Sequence, residues 1–299
     1  MANKRPNCSI SSSDEELLMS GLFSDVTVKC GDRTWNLHRA ILTRSPFFQK
    51  ALEPNRFKES QEKHIEITEQ DPSKVNWVIY FIYTGRASSD LLTLLEDNKT
   101  VILTCVELFE IADFFTIDTL CTHAVDVLLE HIIQQATHVQ GIIRGQNSTG
   151  IINNSKWVDD DFCDRFLDMA RMVYTRYESP SFQPLKNALV MFPELTRYHV
   201  LRATRFKQKF FSDPDLAEFA RDILGSMFSK EISRADRDLP LRCRKCPQTG
   251  FIHNFSLQMG YAGTSVVGKC RGCVPIGNKD VMQQLRGDEP GEAKRQQTS

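Results

Sequence analysis

The sequence lacks any apolar run long enough to cross a membrane, and its opening residues have no apolar core of a secretory signal. It also has no excess of one charge: 37 Lys and Arg face 38 Asp and Glu, a formal net charge of -1. There is thus no global electrostatic attraction to nucleic acid or to an anionic membrane. No internal repeat is visible. These absences predict a protein of the cytoplasm or nucleus that does not bind membranes.

The nine cysteines fall into two groups. Five are scattered singly, as expected of small core residues in a reducing compartment: Cys8, Cys30, Cys105, Cys121 and Cys163. The other four form two close pairs: Cys243 with Cys246, and Cys270 with Cys273. This contrast favours one local metal site over a disulfide framework.

The first half of the chain alternates between strand and helix patterns. Apolar residues at every second position around Val26 and Val28, followed by the Gly31-Asp32 turn, predict a β-hairpin. A helix is predicted to begin at Asp71-Pro72 and to end at Gly85. The remaining predicted elements are helices from His38 and from Ser45-Pro46, a strand at His64–Ile67 and two amphipathic helices within Val101–Ile133.

The second half begins with a predicted linker and continues as helix. Gly, Asn and Ser are concentrated in Gly141–Ser155, which is typical of a connection between domains. Four helical patterns follow: Asp161–Tyr177, Pro184–Glu194, Tyr198–Phe206 and Asp213–Ser229.

Three stretches of the first half resemble the BTB/POZ family: "SDVTVKCGDRTWNLHRAILTRSPFF", "FKESQEKHIEITEQDPSKVNWVIYFIYTG" and "VELFEIADFFTIDTLCTHAVDVLL". The helical patterns that follow resemble the region after this domain in filamentous-fungal members. The expected fold class is α+β, with a small mixed sheet and a helical cluster, then an all-α region and a small zinc-ribbon-like tail. The expected boundaries are a disordered N-terminal tail 1–16, the BTB/POZ domain 17–135, a linker 136–158, a helical region 159–230, a four-cysteine zinc-ribbon-like segment 240–277 and a disordered C-terminal tail 278–299.

Two candidate surfaces for self-association follow from the resemblance. In BTB dimers, an acid on the first strand and a base after the second line a charged pocket near the interface, and Asp25 and Arg39 match these positions. His38 is expected to cap the helix, and Asp25 to be mostly buried. An N-terminal apolar segment is expected either to contact the partner subunit or to pack on its own core, through Leu17, Leu18, Leu22 and Phe23.

A catalytic role for the Asp25, His38 and Arg39 group is the alternative. It would need a nucleophile or a further orienting group, and the sequence offers no convincing one. We therefore expect no enzymatic activity and interpret the group as a structural network.

The "FKES" stretch is a candidate cullin-binding loop. In BTB adaptors of cullin-based ubiquitin ligases, a hydrophobic residue, any residue and a glutamate here contact the cullin, and Phe57 and Glu59 match. An apolar side chain beside one carboxylate suits an interface hot spot with a polar rim. The alternative is a plain connecting loop, since three-residue patterns recur by chance.

The paired cysteines predict a structural zinc site. Two Cys-x-x-Cys pairs separated by 23 residues can supply four thiolates to one tetrahedral zinc ion, with a two-stranded hairpin between them. A redox dithiol is the alternative. Basic residues near the cysteines either compensate thiolate charge or contact nucleic acid.

The sequence thus predicts a non-enzymatic interaction protein. Its expected partners are a second copy of itself, a cullin and an unidentified target protein. The alternative is a transcription or chromatin-associated factor whose basic zinc-ribbon-like tail contacts nucleic acid or protein.

Overall fold

The computed structural model of the 299-residue chain describes residues 12–53, 63–149, 158–177, 179–228, 252–260 and 263–270. These residues divide into two compact units. The first contains the described residues up to Leu94 together with Glu107–His123, and the second contains Leu95–Val106 and the described residues from Ala124 onward. Within the described ranges, no helix combines the length and the apolar character that a membrane span requires.

A mixed sheet of three strands lies in the first unit. The strands are β1 (Val26–Cys30), β2 (Arg33–Leu37) and β3 (His64–Ile67), in the order β2-β1-β3. Strand β1 is antiparallel to β2 and parallel to β3. Its alternate residues Val26, Val28 and Cys30 are buried, which confirms the strand period read from the sequence.

The described helices up to Thr149 are α1 (Ser12–Ser20), α2 (Arg39–Leu42), α3 (Pro46–Ala51), α4 (Pro72–Thr84), α5 (Ser89–Glu96), α6 (Val101–Phe114) and α7 (Asp118–Thr149). The predicted limits of α4 are confirmed. The Asp71 side chain accepts a hydrogen bond from the Ser73 N–H at its start, and Gly85 has the left-handed conformation at its end. Helix α5 is not among the elements predicted from the sequence.

The expected N-terminal tail is helical from Ser12 onward, so the prediction for residues 12–16 was wrong. Asp14 forms an ion pair with Arg44 at 2.8 Å, and Glu15 accepts a hydrogen bond from the Tyr80 hydroxyl at 2.6 Å. Acidic residues in a first turn also favour the helix dipole. Both acids therefore hold α1 against residues distant in sequence.

The start of the linker was also predicted too early in the chain. Helix α7 continues through Thr149, whereas the linker was predicted over 136–158. Ala136 and Val139 are buried, and the Gln140 side-chain amide donates to the Leu195 carbonyl. Tertiary packing of this kind outweighs the helix-interior cost of about 1 kcal/mol for a glycine such as Gly141.

The second unit contains a four-helix segment whose core is rich in phenylalanine. The helices are α8 (Asp160–Arg176), α9 (Gln183–Leu195), α10 (Thr204–Ser212) and α11 (Ala217–Phe228). The predicted helix over Tyr198–Phe206 is instead divided, because Ala203 is extended between the 3-10 turn His199–Arg202 and α10. The fully or almost fully buried rings are Phe162, Phe166, Phe192, Phe206 and Phe219.

A two-stranded antiparallel hairpin follows, as predicted for the residues between the cysteine pairs. Its strands are β4 (Ile252–Gly260) and β5 (Gly263–Cys270). Ile252 lies opposite Cys270 and Gly260 lies opposite Gly263. The connection therefore comprises only residues 261–262, and the first residue of β4 and the last of β5 share the other end.

Buried His131 on α7 should make stability depend on pH. Burial and the positive charge of Arg165 lower the pKa of His131 to about 4, and the ring is 5% exposed. Below about pH 6.5 the unfolded chain therefore binds a proton that the folded chain excludes, so stability falls as the pH falls from 6.5 to 4. The expected loss is on the order of 3 kcal/mol.

His131→Leu is the variant that tests this expectation, because Nε2 of His131 has no hydrogen-bond partner among the described residues. Burial raises the pKa of the neighbouring Glu130, whose contribution has the opposite sign, so the comparison must be between proteins and not only between pH values. Urea unfolding at pH 7.5 and 4.5 should show a smaller loss in the variant. Equal losses in both proteins would contradict the assignment.

Candidate functional site

The Asp25 side chain accepts a hydrogen bond at the start of a helix. Its Oδ1 accepts a hydrogen bond from the Arg39 backbone N–H at 2.8 Å, at the start of α2. The Arg39 guanidinium donates to the Leu52 carbonyl at 2.9 Å. Asp25 is exposed in the single chain. A carboxylate at the first N–H groups of a helix satisfies a backbone donor and opposes the helix dipole.

His38 occupies the cap position of α2, but its side chain makes no capping hydrogen bond, contrary to the prediction. The buried ring contacts the Tyr83 hydroxyl through Nδ1 at 2.9 Å and the Leu22 carbonyl through Nε2 at 2.7 Å. Since a carbonyl only accepts, Nε2 carries the proton and donates. The Tyr83 hydroxyl then donates to Nδ1, and it accepts from the His38 backbone N–H at 2.8 Å.

Tyr83 is a site residue that the sequence reasoning missed. It is fully buried on α4, and burial raises its pKa to about 12, so it remains a neutral donor. The signal that could have identified it is the "IYTG" stretch, where a tyrosine occurs beside apolar residues. A buried tyrosine needs a hydrogen-bond partner, and a histidine is a suitable one.

The chain preceding β1 forms an exposed apolar surface, which we call the N-terminal surface. Met19 is 78% exposed, Leu22 is 61% exposed and Phe23 is 88% exposed, while Leu17 and Leu18 are half-buried. Phe23 has φ 62, a left-handed conformation that costs a non-glycine residue roughly 1–2 kcal/mol. The bond from His38 to the Leu22 carbonyl holds the chain immediately before this strained residue.

Four aromatic rings form a second partly exposed cluster. Phe47 lies 4.9 Å from Phe115 and 5.3 Å from Phe114 between ring centroids, and Phe48 stacks on Phe115. Phe48 and Phe115 are fully buried, whereas Phe47 is half-buried and Phe114 is 37% exposed. Helix α3, which carries Phe47, ends at Ala51. The predicted cullin contacts Phe57 and Glu59 follow it but lie outside the described residues.

The predicted zinc ligands fall mainly outside the described residues. Cys243, Cys246 and Cys273 are not among them, and Cys270 is described only as the last backbone position of β5. Elsewhere in the described chain, no group of three or more His, Cys, Asp or Glu residues could hold a metal ion.

The remaining described cysteines are free thiols, as expected of core residues. Cys30, Cys105 and Cys163 are buried and Cys121 is half-buried. Burial raises the pKa of Cys121 and of Cys163 to about 12, so neither provides a thiolate nucleophile at neutral pH. The hydrogen bonds around Asp25 and His38 position segments of the chain relative to one another.

Comparisons with known proteins agree with this architecture. The family model described as BTB/POZ domain matches residues 15–132. Kelch-like protein 41b of Danio rerio is 29% identical over 105 residues, which cover 34% of this chain and 16% of that protein. The chain thus aligns with about a sixth of its relative's length.

The matched residues contain the three-stranded sheet, the buried His38–Tyr83 pair and the N-terminal surface. The predicted resemblance is therefore confirmed for this part of the chain. Residues 15–132 form a BTB/POZ domain, a protein-interaction module.

Proposed function

We propose that this protein self-associates through the N-terminal surface and acts as a substrate adaptor of a cullin-based ubiquitin ligase. The observation that carries self-association is the exposure of Met19, Leu22 and Phe23, which lie close together in the sequence. Contiguous exposed apolar side chains mark interaction surfaces, because water contact with them is unfavourable. A second copy of the chain is the occupant that the BTB/POZ domain favours.

The local structure favours a preorganised interface. Two polar contacts hold α1, through Asp14 and Glu15, and His38 holds the carbonyl of Leu22. The apolar side chains are therefore presented from a fixed backbone. Binding through such a surface loses less conformational entropy than binding through a segment that must first become ordered.

The double variant Leu22→Ser/Phe23→Ser should dissociate the dimer. Loss of two apolar side chains should weaken association tenfold or more, about 1.4 kcal/mol or above. Light scattering across a dilution series measures the mass of the full chain. Phe211→Ser is the matched control, since Phe211 is 70% exposed but belongs to α10 of the second unit. A folded double variant with wild-type mass, or a wild type that is monomeric throughout, would reject the proposal.

The aromatic cluster supports cullin binding. Phe47 and Phe114 leave apolar surface exposed on and beside α3, and Phe57 and Glu59 follow that helix in the chain. A partner that accepts an apolar side chain at Phe57 could extend its contact over these rings. Interfaces combine such buried aromatic anchors with a polar rim, and Glu59 provides a charge suited to the rim.

Phe57→Ala should remove most cullin affinity. A buried aromatic anchor contributes about 2 kcal/mol or more, which corresponds to roughly thirtyfold in binding. Glu59→Ala should have a smaller effect that depends on salt. Lys58→Ala is the matched control, because the intervening position of the pattern is unconstrained. The measurement is a titration with the host's cullin N-terminal region, with melting curves for each protein. Unchanged binding by a folded Phe57→Ala protein would reject Phe57 as the anchor, and no binding by wild type would reject the adaptor role.

We further infer that Asp25 has a structural role and supports no turnover. Asp25→Ala removes the acceptor for the Arg39 N–H and should lower the free energy of unfolding by about 1 kcal/mol, the usual cost of losing a helix cap. Asp25→Asn keeps an acceptor oxygen and should lose less. Chemical denaturation compares the three proteins. Equal stability of Asp25→Ala and wild type would show that the cap contributes nothing.

A further inference from the structure

We propose that one exposed side of α10 binds an acidic segment of another protein that also carries an apolar side chain. This side, which we call the α10 face, consists of Thr204, Lys207, Gln208 and Phe211. It belongs to the second unit and lies outside the BTB/POZ domain. Neither self-association nor cullin binding is needed for this contact, so its test stands apart from theirs.

The helical period divides α10 into three sides. Phe206 and Phe210, one turn apart, are buried in the phenylalanine core of the second unit. Arg205 and Lys209, also one turn apart, face α8, on which α10 packs. The residues of the α10 face occupy the remaining side, and all four are exposed.

The two cations that face α8 are paired with carboxylates. The Arg205 guanidinium donates from Nε to Asp164 Oδ1 at 3.0 Å and from Nη2 to Asp164 Oδ2 at 2.7 Å. Lys209 Nζ lies 2.8 Å from Asp168 Oδ1. Lys207 is two positions from each of these cations, which places it about 160° away around the helix. No ion pair joins Lys207 to any residue that the structure describes.

The chain around the α10 face is basic without exception. Residues 195–212 contain no Asp or Glu, and their Lys and Arg residues are Arg197, Arg202, Arg205, Lys207 and Lys209. Arg202, just before α10, is exposed like Lys207 and forms no ion pair within the described chain. The charge that complements this surface is therefore negative, and such complementarity selects one partner over another.

Phe211 adds an apolar contact to this positive surface. Its ring is 70% exposed and lies 5.1 Å from the buried Phe210 ring, between centroids. Lys207 and Phe211 are four positions apart, so they are neighbours on the helix surface, with roughly 6 Å between their Cβ atoms. Aromatic side chains are frequent anchors of protein interfaces. A partner with a carboxylate and an apolar side chain at a similar separation can contact both residues.

The start of α10 reinforces the preference for a negative charge. Its cap position is Ala203, which makes no side-chain capping bond, whereas the Asp159 carboxylate caps α8. The N-terminal end of a helix carries a partial positive charge on its first N–H groups. Thr204, the first residue of α10, brings this end of the helix to the α10 face.

A short acidic segment fits this surface better than a nucleic acid does. Arg202 and Lys207 can neutralise few phosphates, so little binding free energy is available from counterion release. The neighbouring α8 carries four acidic residues: Asp160, Asp161, Asp164 and Asp168. These acids lie on the helix that packs against α10, and a long polyanion that extends over α8 is repelled by them.

Selection of random 12-residue peptides displayed on phage, with the full chain as bait, tests the proposal. The selected peptides should be enriched in Asp and Glu together with aromatic or aliphatic residues. Fluorescence anisotropy then measures the affinity of labelled copies of these peptides. Lys207→Glu should weaken binding at least about tenfold, because attraction becomes repulsion, and Phe211→Ser should weaken it by a similar factor. Lys207→Arg keeps the charge and should bind as wild type.

Two matched controls separate the α10 face from general charge and apolar exposure. Lys50→Glu makes the same charge change at an exposed lysine of α3 in the first unit. Phe228→Ser removes a ring that is 80% exposed at the end of α11. Both should bind the selected peptides as wild type does. Higher salt should weaken peptide binding by wild type more than by Lys207→Glu.

Four results would overturn the proposal. The first is a selected set without an excess of acidic residues. The second is unchanged peptide affinity in a Lys207→Glu protein with wild-type melting, and the third is an equal loss in either control. The fourth is binding of a labelled 12-nucleotide thymidine strand as tight as that of the peptides, which would make nucleic acid the partner. A lower mass of Lys207→Glu in light scattering would likewise reject it, in favour of a second copy of the chain.

Discussion

The N-terminal surface depends on the hydrogen bonds of the buried His38 side chain. One imidazole connects the chain before β1, through the Leu22 carbonyl, to the Tyr83 hydroxyl on α4. The same hydroxyl accepts from the backbone at the start of α2. Each polar atom in this group has a hydrogen-bond partner, as buried polar atoms require. These bonds hold three segments that are distant in sequence next to one another.

The acidic residues of the first unit have a related part. Asp14, Glu15 and Asp25 each contact a group far along the chain: a guanidinium, a phenol and a helix N–H. They attach α1 and α2 to the domain. The charged residues that raise the question of catalysis in the sequence therefore attach helices to the domain. The surface that they leave exposed is apolar.

Local signals predicted the elements whose causes are local. The strand alternation of Val26 and Val28 and the two ends of α4 depend on residues a few positions apart, and they are present as expected. The helical residues 12–16 and 136–149 were missed because their support is distant. Glu15 and Tyr80 are 65 residues apart, and Gln140 and Leu195 are 55 apart. Asp25 was placed in the correct region, but its backbone partner could not be read from charge pattern alone.

The parallel pairing of β1 with β3 has a consequence for the segment that carries Phe57 and Glu59. Hydrogen bonds hold the chain on both sides of this segment. Before it, the Leu52 carbonyl accepts from the Arg39 guanidinium, and after it, the Lys63 carbonyl accepts from the Thr27 N–H. Only the nine residues 54–62 lie between the ends of the described chain. The residues that flank this stretch are therefore already fixed by folding, so a partner that binds next to them has less conformational entropy to overcome there than at a free chain terminus.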